Sequence, residues 1–450
     1  NPSFKLMWAV VILILPVFGG VFYFLWGGRR ISRETRKKLN DVYGSPLFCI
    51  HPTDKTHTER LKSFDPALGR QAEFIANVAS APLYTNTECE YFPTGEAMYK
   101  SMMSELKKAR RFIYLEYFII SPGVMWNSIL DVLKEKTRQG VDVRLIYDDM
   151  GCSLTLPSDY PETLRKFGIR VQVFNRLKPR LDAFINSRDH RKICVVDGYI
   201  GIMGGNNLAD EYINKRRKYG YWKDTAILVR GDATAGMTRI FAELWQFTTG
   251  EKINLEECVP LQTQKLKTDG FVQPFSDQPL DDCNVAETAY LTMINQATKY
   301  LYITTPYLIL DNEVITALCM ASRSGVDVRI VCPGIPDKKT IFIITQSYYP
   351  QLVNAGVKIY EYKPGFVHSK MFVCDDKAAI VGSANMDFRS LYLHFECCTA
   401  FYFSSVADKV KQDILGLLPD CREISIDQIE KIPFYKHAFR SVLKLFSPLL

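Results

Sequence analysis

One unit of sequence occurs twice in this chain, and that repetition limits the folds open to it more than any other feature. The pentapeptide GVDVR stands at residues 140–144 and again at 325–329. Each copy follows a helix-like stretch, SILDVLKEKTRQ or EVITALCMASRS, and opens an apolar run, RLIYD or RIVCP, that reads as a buried strand. Another apolar strand lies upstream of each copy, RFIYLEYFII at 111–120 and KYLYITTPYLIL at 299–310. A third lies downstream, FGIRVQVF at 167–174 and AGVKIYEY at 355–362. Strands alternating with helices predict an α/β layer structure. Duplication of the whole unit predicts two lobes related by a pseudo-twofold, each a mixed β-sheet flanked by helices. The stretch 250–285 has no periodicity and reads as a connector. It divides the chain into a first lobe at 39–262 and a second at 263–450, and 450 residues suffice for two such cores.

Each unit ends in the same polar string. The first is HRKICVVDGYIGIMGGNN, with His190, Lys192 and Asp197; the second is HSKMFVCDDKAAIVGSAN, with His368, Lys370 and Asp375. Both fit HxKx4D, followed by a glycine (Gly204, Gly382) and by an asparagine (Asn207, Asn385) 17 residues after the histidine. The register to Gly382 makes Asp375, not its neighbour Asp376, the signature residue. A string found twice in register is no accident of composition.

The spacing has a chemical reason. Residues two apart on a strand share a face, so His190 points with Lys192 and His368 with Lys370. Pairing the lobes then gives one pocket holding two imidazoles and two ammonium groups. One neutral imidazole can attack phosphorus while the other, protonated, donates to the leaving oxygen. The lysines and the amides of Asn207 and Asn385 would hold the nonbridging oxygens in the transition state. Two ammonium groups can do what magnesium does elsewhere, so no metal and no other cofactor is expected. Asp197 and Asp375 are counted with the catalytic residues as members of the signature, although with period two they face away from the pocket and read as supports. The remaining histidines, His51, His57, His394 and His437, belong to no repeated pattern and read as surface or structural.

From Leu6 to Trp26 the chain runs 21 residues without a charge, enough at about 1.5 Å per residue to cover a hydrocarbon core roughly 30 Å thick. Phe22, Tyr23, Phe24 and Trp26 gather at its end, and Arg29, Arg30, Arg33, Arg36, Lys37 and Lys38 follow. This is the order of a stop-transfer anchor; a cleaved signal peptide carries its basic residues in front. Residues 1–38 therefore read as a transmembrane helix with a basic juxtamembrane stretch. By the positive-inside rule the chain sits in the cell membrane with its catalytic part on the cytoplasmic side. The net charge of +7 is too small for a dedicated nucleic-acid binder and suits either an anionic lipid surface or an ordinary basic exterior. The 12 cysteines include no CxxC pair, which argues for reduced thiols and against a zinc site. Residues 434–450 set Phe434, Phe439, Val442 and Leu443 against Lys436, Arg440 and Lys444, the pattern of a helix lying on an anionic membrane or packed on its own lobe. Residues 176–189, leading into His190, fit a headgroup-entry rim or an ordinary loop.

The doubled HxKx4D string resembles the phospholipase D superfamily, and along nearly its whole length the chain is similar to the cardiolipin synthase branch. The segments NSRDHRKICVVDGYIGIMGGNNLADEY and GSANMDFRSLYLHFE, the apolar anchor with its basic sequel and the terminus RSVLKLFSPLL carry the likeness. The resemblance implies a ping-pong phosphatidyl transfer. One histidine attacks the phosphorus of phosphatidylglycerol and releases glycerol; a hydroxyl of a second phosphatidylglycerol then attacks the phosphatidyl-histidine, giving cardiolipin. His190 is the implied nucleophile and His368 the implied general acid/base. The resemblance also implies a carboxylate that orients an imidazole, with Asp224 in YWKDTAILV and Glu396 in LHFECC as candidates. Each lies in a strand-like stretch where an unpaired carboxylate would be costly. A structural ion pair would account for them equally well, and which serves which histidine is left open. A lipid hydrolase, or a transferase using serine or another alcohol, would carry the same residues. A nuclease of the superfamily would not need the apolar helix, and nucleic acid is not an expected partner. Two complete motifs argue against a scaffold without chemistry. The partners implied are phosphatidylglycerol and a membrane, and a homo-oligomer is compatible with the sequence.

Overall fold

In the computed structural model, residues 2–26, 33–43, 55–177, 183–260, 265–279 and 283–447 are described. In the first lobe the strands are Thr87–Phe92 (β1), Phe112–Tyr117 (β2), Asp142–Asp148 (β3), Arg170–Phe174 (β4), Lys192–Val196 (β5), Ile200–Gly204 (β6), Tyr221–Lys223 (β7) and Ala226–Gly231 (β8). Those of the second are Phe271–Asp277 (β9), Tyr300–Thr304 (β10), Asp327–Pro333 (β11), Lys358–Tyr362 (β12), Gly365–Val367 (β13), Met371–Cys374 (β14), Ala378–Gly382 (β15), Glu396–Tyr402 (β16) and Cys421–Glu423 (β17). The first sheet runs β4-β3-β2-β5-β6-β8-β1 and the second β17-β12-β11-β10-β14-β15-β16-β9. Apart from the added β17 the two orders are the same. In each, the three strands nearest the β4 or β12 end are parallel and the rest antiparallel. The chain is thus an α/β protein of two mixed sheets flanked by helices.

The repeated glycine explains how each parallel crossover is made. Helix Val124–Arg138 ends as Gly140 takes φ +86°, and helix Asn312–Arg323 ends as Gly325 takes φ +94°. The Val141 N–H then bonds the Lys136 carbonyl and the Gly140 N–H that of Thr137; Val326 and Gly325 do the same to Ala321 and Ser322. This is the paired closure that satisfies the last carbonyls of a helix, and glycine reaches the left-handed conformation it needs without a Cβ penalty. The next residues are β-branched or acidic and turn directly into β3 or β11. Because these strands are covered on both faces, they read as continuous apolar runs with no polar alternation.

Helices Thr234–Thr249 and Ser405–Leu417 lie between the two sheets. Phe241, Trp245, Val406, Val410 and Ile414 share one core with Ile193 and Val195 of the first sheet and Val373 and Val381 of the second. Two outer cores cover the far faces. The outer core of the second lobe includes Leu61, Leu68, Ala72 and Ile75, from helices Lys55–Phe64 and Pro66–Val78. Gln71 Nε2 bonds the Ala289 carbonyl at 3.0 Å there. These helices fall inside 39–262, the span expected to form the first lobe, yet they cover the second. An amphipathic pattern shows that a helix has a buried face but not which sheet it buries against. The expected division at 262/263 lies outside the described residues.

The apolar run at the start is not one helix. Pro16 has no N–H to donate, and its ring crowds the carbonyl of Ile12, so helix Pro2–Ile14 ends and helix Pro16–Trp26 begins. The second folds back on the first. The Trp8 and Tyr23 rings meet edge to face at 5.6 Å, whereas a straight helix would hold these positions about 22 Å apart. Among the described residues no helix is long and apolar enough to cross a membrane. Of the basic residues expected to follow, Arg29 and Arg30 lie outside the described residues, while Arg36, Lys37 and Lys38 lie on helix Arg33–Tyr43.

The inner core makes a specific stability prediction. The Phe241 ring is fully buried, stacked at 4.7 Å on Tyr114 and at 5.9 Å on Trp245. Phe241→Ala should cost about 3–5 kcal/mol, read as a lower thermal midpoint in detergent. A midpoint unchanged from that of the parent protein would contradict this packing.

Candidate active site

Two short pairings across the lobes build the site. β7 runs parallel to β13, with Tyr221 opposite Gly365, Trp222 opposite Phe366 and Lys223 opposite Val367. Gly365 permits the approach, since a Cβ there would stand 2.1 Å from the Tyr221 carbonyl oxygen. Asp189 bridges Phe395 in the same parallel sense. In both pairings the next residue is a histidine on one strand and a carboxylate on the other: His368 beside Asp224, and His190 beside Glu396. The His368 N–H donates to the Lys223 carbonyl at 2.7 Å and the His190 N–H to that of Phe395 at 2.9 Å, which locks the register. Each imidazole is therefore held by the carboxylate of the other lobe. His190 Nδ1 lies 2.8 and 3.1 Å from the Glu396 oxygens, and His368 Nδ1 lies 2.6 Å from Asp224 Oδ2. With Nδ1 engaged on both rings, Nε2 is the nitrogen left for chemistry.

Lys192 and Lys370 are buried with the histidines, and each ammonium donates to the carbonyl of its own histidine. Lys370 Nζ also lies 2.9 Å from His368 Nδ1. Burial disfavours charge here and sets the protonation states. It pushes Lys192 down to about 8 and Lys370 down to about 7. It also drives His190 well below its ordinary value and His368 to about 4, helped by repulsion from Lys192 and Lys370 respectively. Glu396 is lifted by burial to about 8. Burial acts on Asp224 too, but the His368 and Lys370 charges outweigh it and hold this carboxyl below its usual range. Serine completes the Glu396 side, with Ser383 Oγ donating to the carboxylate.

The other expected site residues fall into different places. Asn207 Oδ1 accepts from the Ile119 N–H at 2.9 Å, and its Nδ2 donates to the Tyr212 hydroxyl at 2.6 Å. It is thus tied to the wall, with one amide hydrogen remaining. Asn385 Oδ1 is buried without a hydrogen-bond partner among the described residues. Asp197 and Asp375 are engaged by backbone amides and not by either imidazole. Both take φ +54° at the hairpin turns that follow β5 and β14. The Asp197 carboxylate accepts the backbone N–H groups of Arg110, Arg111 and Phe112 at 2.8–3.0 Å, and Asp375 those of Thr298, Lys299 and Tyr300 at 2.7–2.9 Å. Each caps the start of the central parallel strand, at the end of the hairpin away from its histidine. That is the physical reason for the four residues between lysine and aspartate: they measure the length of a strand.

Several neighbours were not singled out by the sequence. Phe118 meets the His190 ring edge-on at 5.1 Å, and Tyr212, Trp222 and Phe366 surround His368 at 5.2–5.9 Å. Trp222 and Phe366 each stand two residues before a candidate on the same strand, a period-two signal that could have found them. His394, expected to be surface or structural, instead lies with its ring 5.7 Å from that of His190. His51 lies outside the described residues. Arg176 and Leu177 open the expected rim at 176–189, but residues 178–182 lie outside the described residues. His190, His394 and Glu396 offer ligand atoms within 4.8 Å of one another. The cations around them and the existing His190–Glu396 bond suit an anion better than a metal ion.

The geometry separates two classes of acid. Asp224→Asn and Glu396→Gln should lower kcat by about 10²- to 10⁴-fold with the fold retained, as expected when an imidazole loses its orienting carboxylate. Asp375→Asn should cost about 1–3 kcal/mol of stability, as three backbone donors lose a charged acceptor. Its folded fraction should keep most of its turnover. Equal losses of kcat in all three variants would show that the signature aspartate takes part in the chemistry.

The family model for the cardiolipin synthase, phospholipase D-like domain matches residues 102–245 and 290–417, one segment in each lobe. A phospholipase D-nuclease N-terminal model matches residues 1–28. A Streptococcus mutans protein described only as uncharacterized is 41% identical over 450 residues, covering 98% of this chain and 96% of that one. The cardiolipin synthase of Alkalihalophilus pseudofirmus is 35% identical over 453 residues (100% of this chain and 90% of the relative) and cardiolipin synthase 2 of Bacillus anthracis is 34% identical (100% and 87%). The crystal structure of phosphatidylserine synthase from Haemophilus influenzae Rd KW20 superposes with a TM-score of 0.64 at 14% identity, over 85% of this chain and all of that one, a likeness of fold. Matched in both lobes and along its full length, the chain belongs to the cardiolipin synthase family of phospholipase D-like proteins.

Proposed function

We propose that the chain is a cardiolipin synthase that joins two phosphatidylglycerol molecules through a phosphatidyl-histidine, releasing glycerol. One observation carries the reading: two buried imidazoles, each held through Nδ1 by a carboxylate of the opposite lobe, with a buried ammonium group beside each. His190 Nε2 attacks phosphorus, and the P–O bond to the headgroup glycerol breaks as His368 gives that oxygen its proton. A hydroxyl of the second phosphatidylglycerol then attacks the same phosphorus, its proton passes to His368, and the N–P bond breaks. The lysines hold the nonbridging oxygens. The division of labour follows from the carboxylates. Asp224, ionised, stabilises an imidazolium on His368 better than Glu396, lifted to about 8, does on His190. A phosphodiester between the rings adds negative charge, which favours one proton on the pair.

Membrane attachment fits the surface. Phe18, Phe22 and Phe24 of the second N-terminal helix are exposed, as are Phe434, Tyr435 and Phe439 of helix Phe434–Leu445, whose Lys436 is also exposed. We infer that these apolar faces enter the cytoplasmic side of the bacterial membrane, with the basic residues at its anionic surface.

The test is to incubate the detergent-solubilised protein with phosphatidylglycerol vesicles and a chelator. Cardiolipin and glycerol should appear together, and His190→Ala should abolish both. Phosphatidic acid in their place would make the protein a hydrolase, and no turnover of any phospholipid would end the reading.

The lysines predict an alkaline limb. Their ammonium forms are present below about 7 (Lys370) and about 8 (Lys192) and are lost as pH rises through those values. Since kcat/KM reports groups of the free enzyme, it should fall with increasing pH from about 7 upward. A profile flat to the ordinary lysine range would show that these ammonium groups are not needed.

A further inference from the structure

His394 is a polar residue of the pocket that the two-histidine chemistry leaves unused. Its ring lies 5.7 Å from that of His190, and both of its nitrogens are buried with no hydrogen-bond partner among the described residues. An imidazole with both nitrogens covered in this way gives up their hydration without return unless a ligand restores the bond. The surroundings indicate the charge of that ligand. Arg389, Lys192, Arg188 and Lys338 all bring positive potential to the ring. The nearby carboxylates are already engaged: Asp148 lies 3.7 Å from Arg188, Glu396 holds His190, and Asp387 caps a helix by accepting the Ser390 N–H at 2.8 Å. Lys338 is exposed and stands 5.8 Å above the Tyr307 ring, which packs on Phe366 beside His368. The cationic side of the pocket thus extends past both catalytic rings.

We propose that His394, backed by Arg389 and Lys338, is the subsite that takes a phosphate oxygen of the second, acceptor lipid. The inference rests on the two-lipid reading above. In the product of that reaction the two phosphates are separated by a single glycerol bridge, so the acceptor's phosphate must bind one glycerol away from the reacting phosphorus. The His394 ring centre lies 5.7 Å from that of His190, next to the set that grips the first phosphate. An imidazole N–H and a cationic field recognise a phosphodiester, which water and simple alcohols lack. The subsite therefore selects a lipid acceptor over water at the moment the phosphatidyl-histidine is resolved.

The test reads a partition ratio. Phosphatidylglycerol vesicles are supplied with ethanol, and cardiolipin and phosphatidylethanol are counted in the same tube. Both arise from one intermediate, so their ratio does not depend on how much protein is folded or on the rate of the first step. Loss of one hydrogen bond to a charged group is worth on the order of tenfold, so His394→Phe should lower the cardiolipin-to-phosphatidylethanol ratio by about that factor. Lys338→Gln, at an exposed position where charge is screened, should lower it about twofold. An unchanged ratio in Lys338→Gln, together with an unchanged ratio or no product in His394→Phe, would overturn the subsite. Inorganic phosphate is the competing probe: it should lower the ratio of the parent protein by displacing the lipid phosphate and should leave the ratio of His394→Phe unchanged, whereas an equal fall in both would count against the subsite. Phosphatidylethanol without any cardiolipin from the parent protein would instead overturn the two-lipid reading itself.

Discussion

The exchange of carboxylates between lobes is the constraint on which the rest of this molecule depends. His190 of the first lobe is held by Glu396 of the second, and His368 of the second by Asp224 of the first. At the site, neither lobe alone supplies a complete imidazole–carboxylate pair. All four side chains are buried, and a carboxylate without its partner would be costly in that setting. The two short parallel pairings at 221–223 with 365–367 and at Asp189 with Phe395 are what bring the partners within reach. They hold only because two helices and both sheets share one apolar core behind them. Stability of the interface and assembly of the site are therefore the same event.

A symmetric scaffold does not give two equal halves. Both imidazoles lose basicity to burial, but Asp224 stays ionised beside His368 while Glu396 is lifted to about 8 beside His190. The difference arises from the balance at each acid: at Glu396 burial outweighs the Lys192 charge and the Ser383 hydroxyl, whereas at Asp224 the His368 and Lys370 charges outweigh burial. Small departures from twofold symmetry thus supply the asymmetry that a nucleophile and a proton donor require. His394 is another such departure, since it stands beside one catalytic ring only.

The N-terminal run shows how one residue redirects an apolar segment. Leu6–Trp26 has the length and hydropathy of a spanning helix, but Pro16 divides it and the halves fold together. Hydropathy counts residues that prefer an apolar surrounding and is blind to one missing N–H. Its aromatic residues remain exposed on the folded-back hairpin, so the preference that the pattern records is still expressed at the surface.

Much of the architecture was legible in the chain because it is written in local periods. The repeated GVDVR marks a helix end and the strand after it, and HxKx4D marks a strand with two inward side chains and a turn at its far end. Period two already set Asp197 and Asp375 on the opposite face from the lysines, and the structure shows them capping β2 and β10. What lies between distant segments could not be read this way. The identity of each imidazole's partner, the lobe that helices Lys55–Phe64 and Pro66–Val78 cover, and the place of His394 are all decided by contacts between residues far apart in sequence. The sequence by itself determined which residues share a face, because that depends on backbone geometry over a few residues; only the tertiary structure decided which faces meet, because that depends on how two whole cores close on each other.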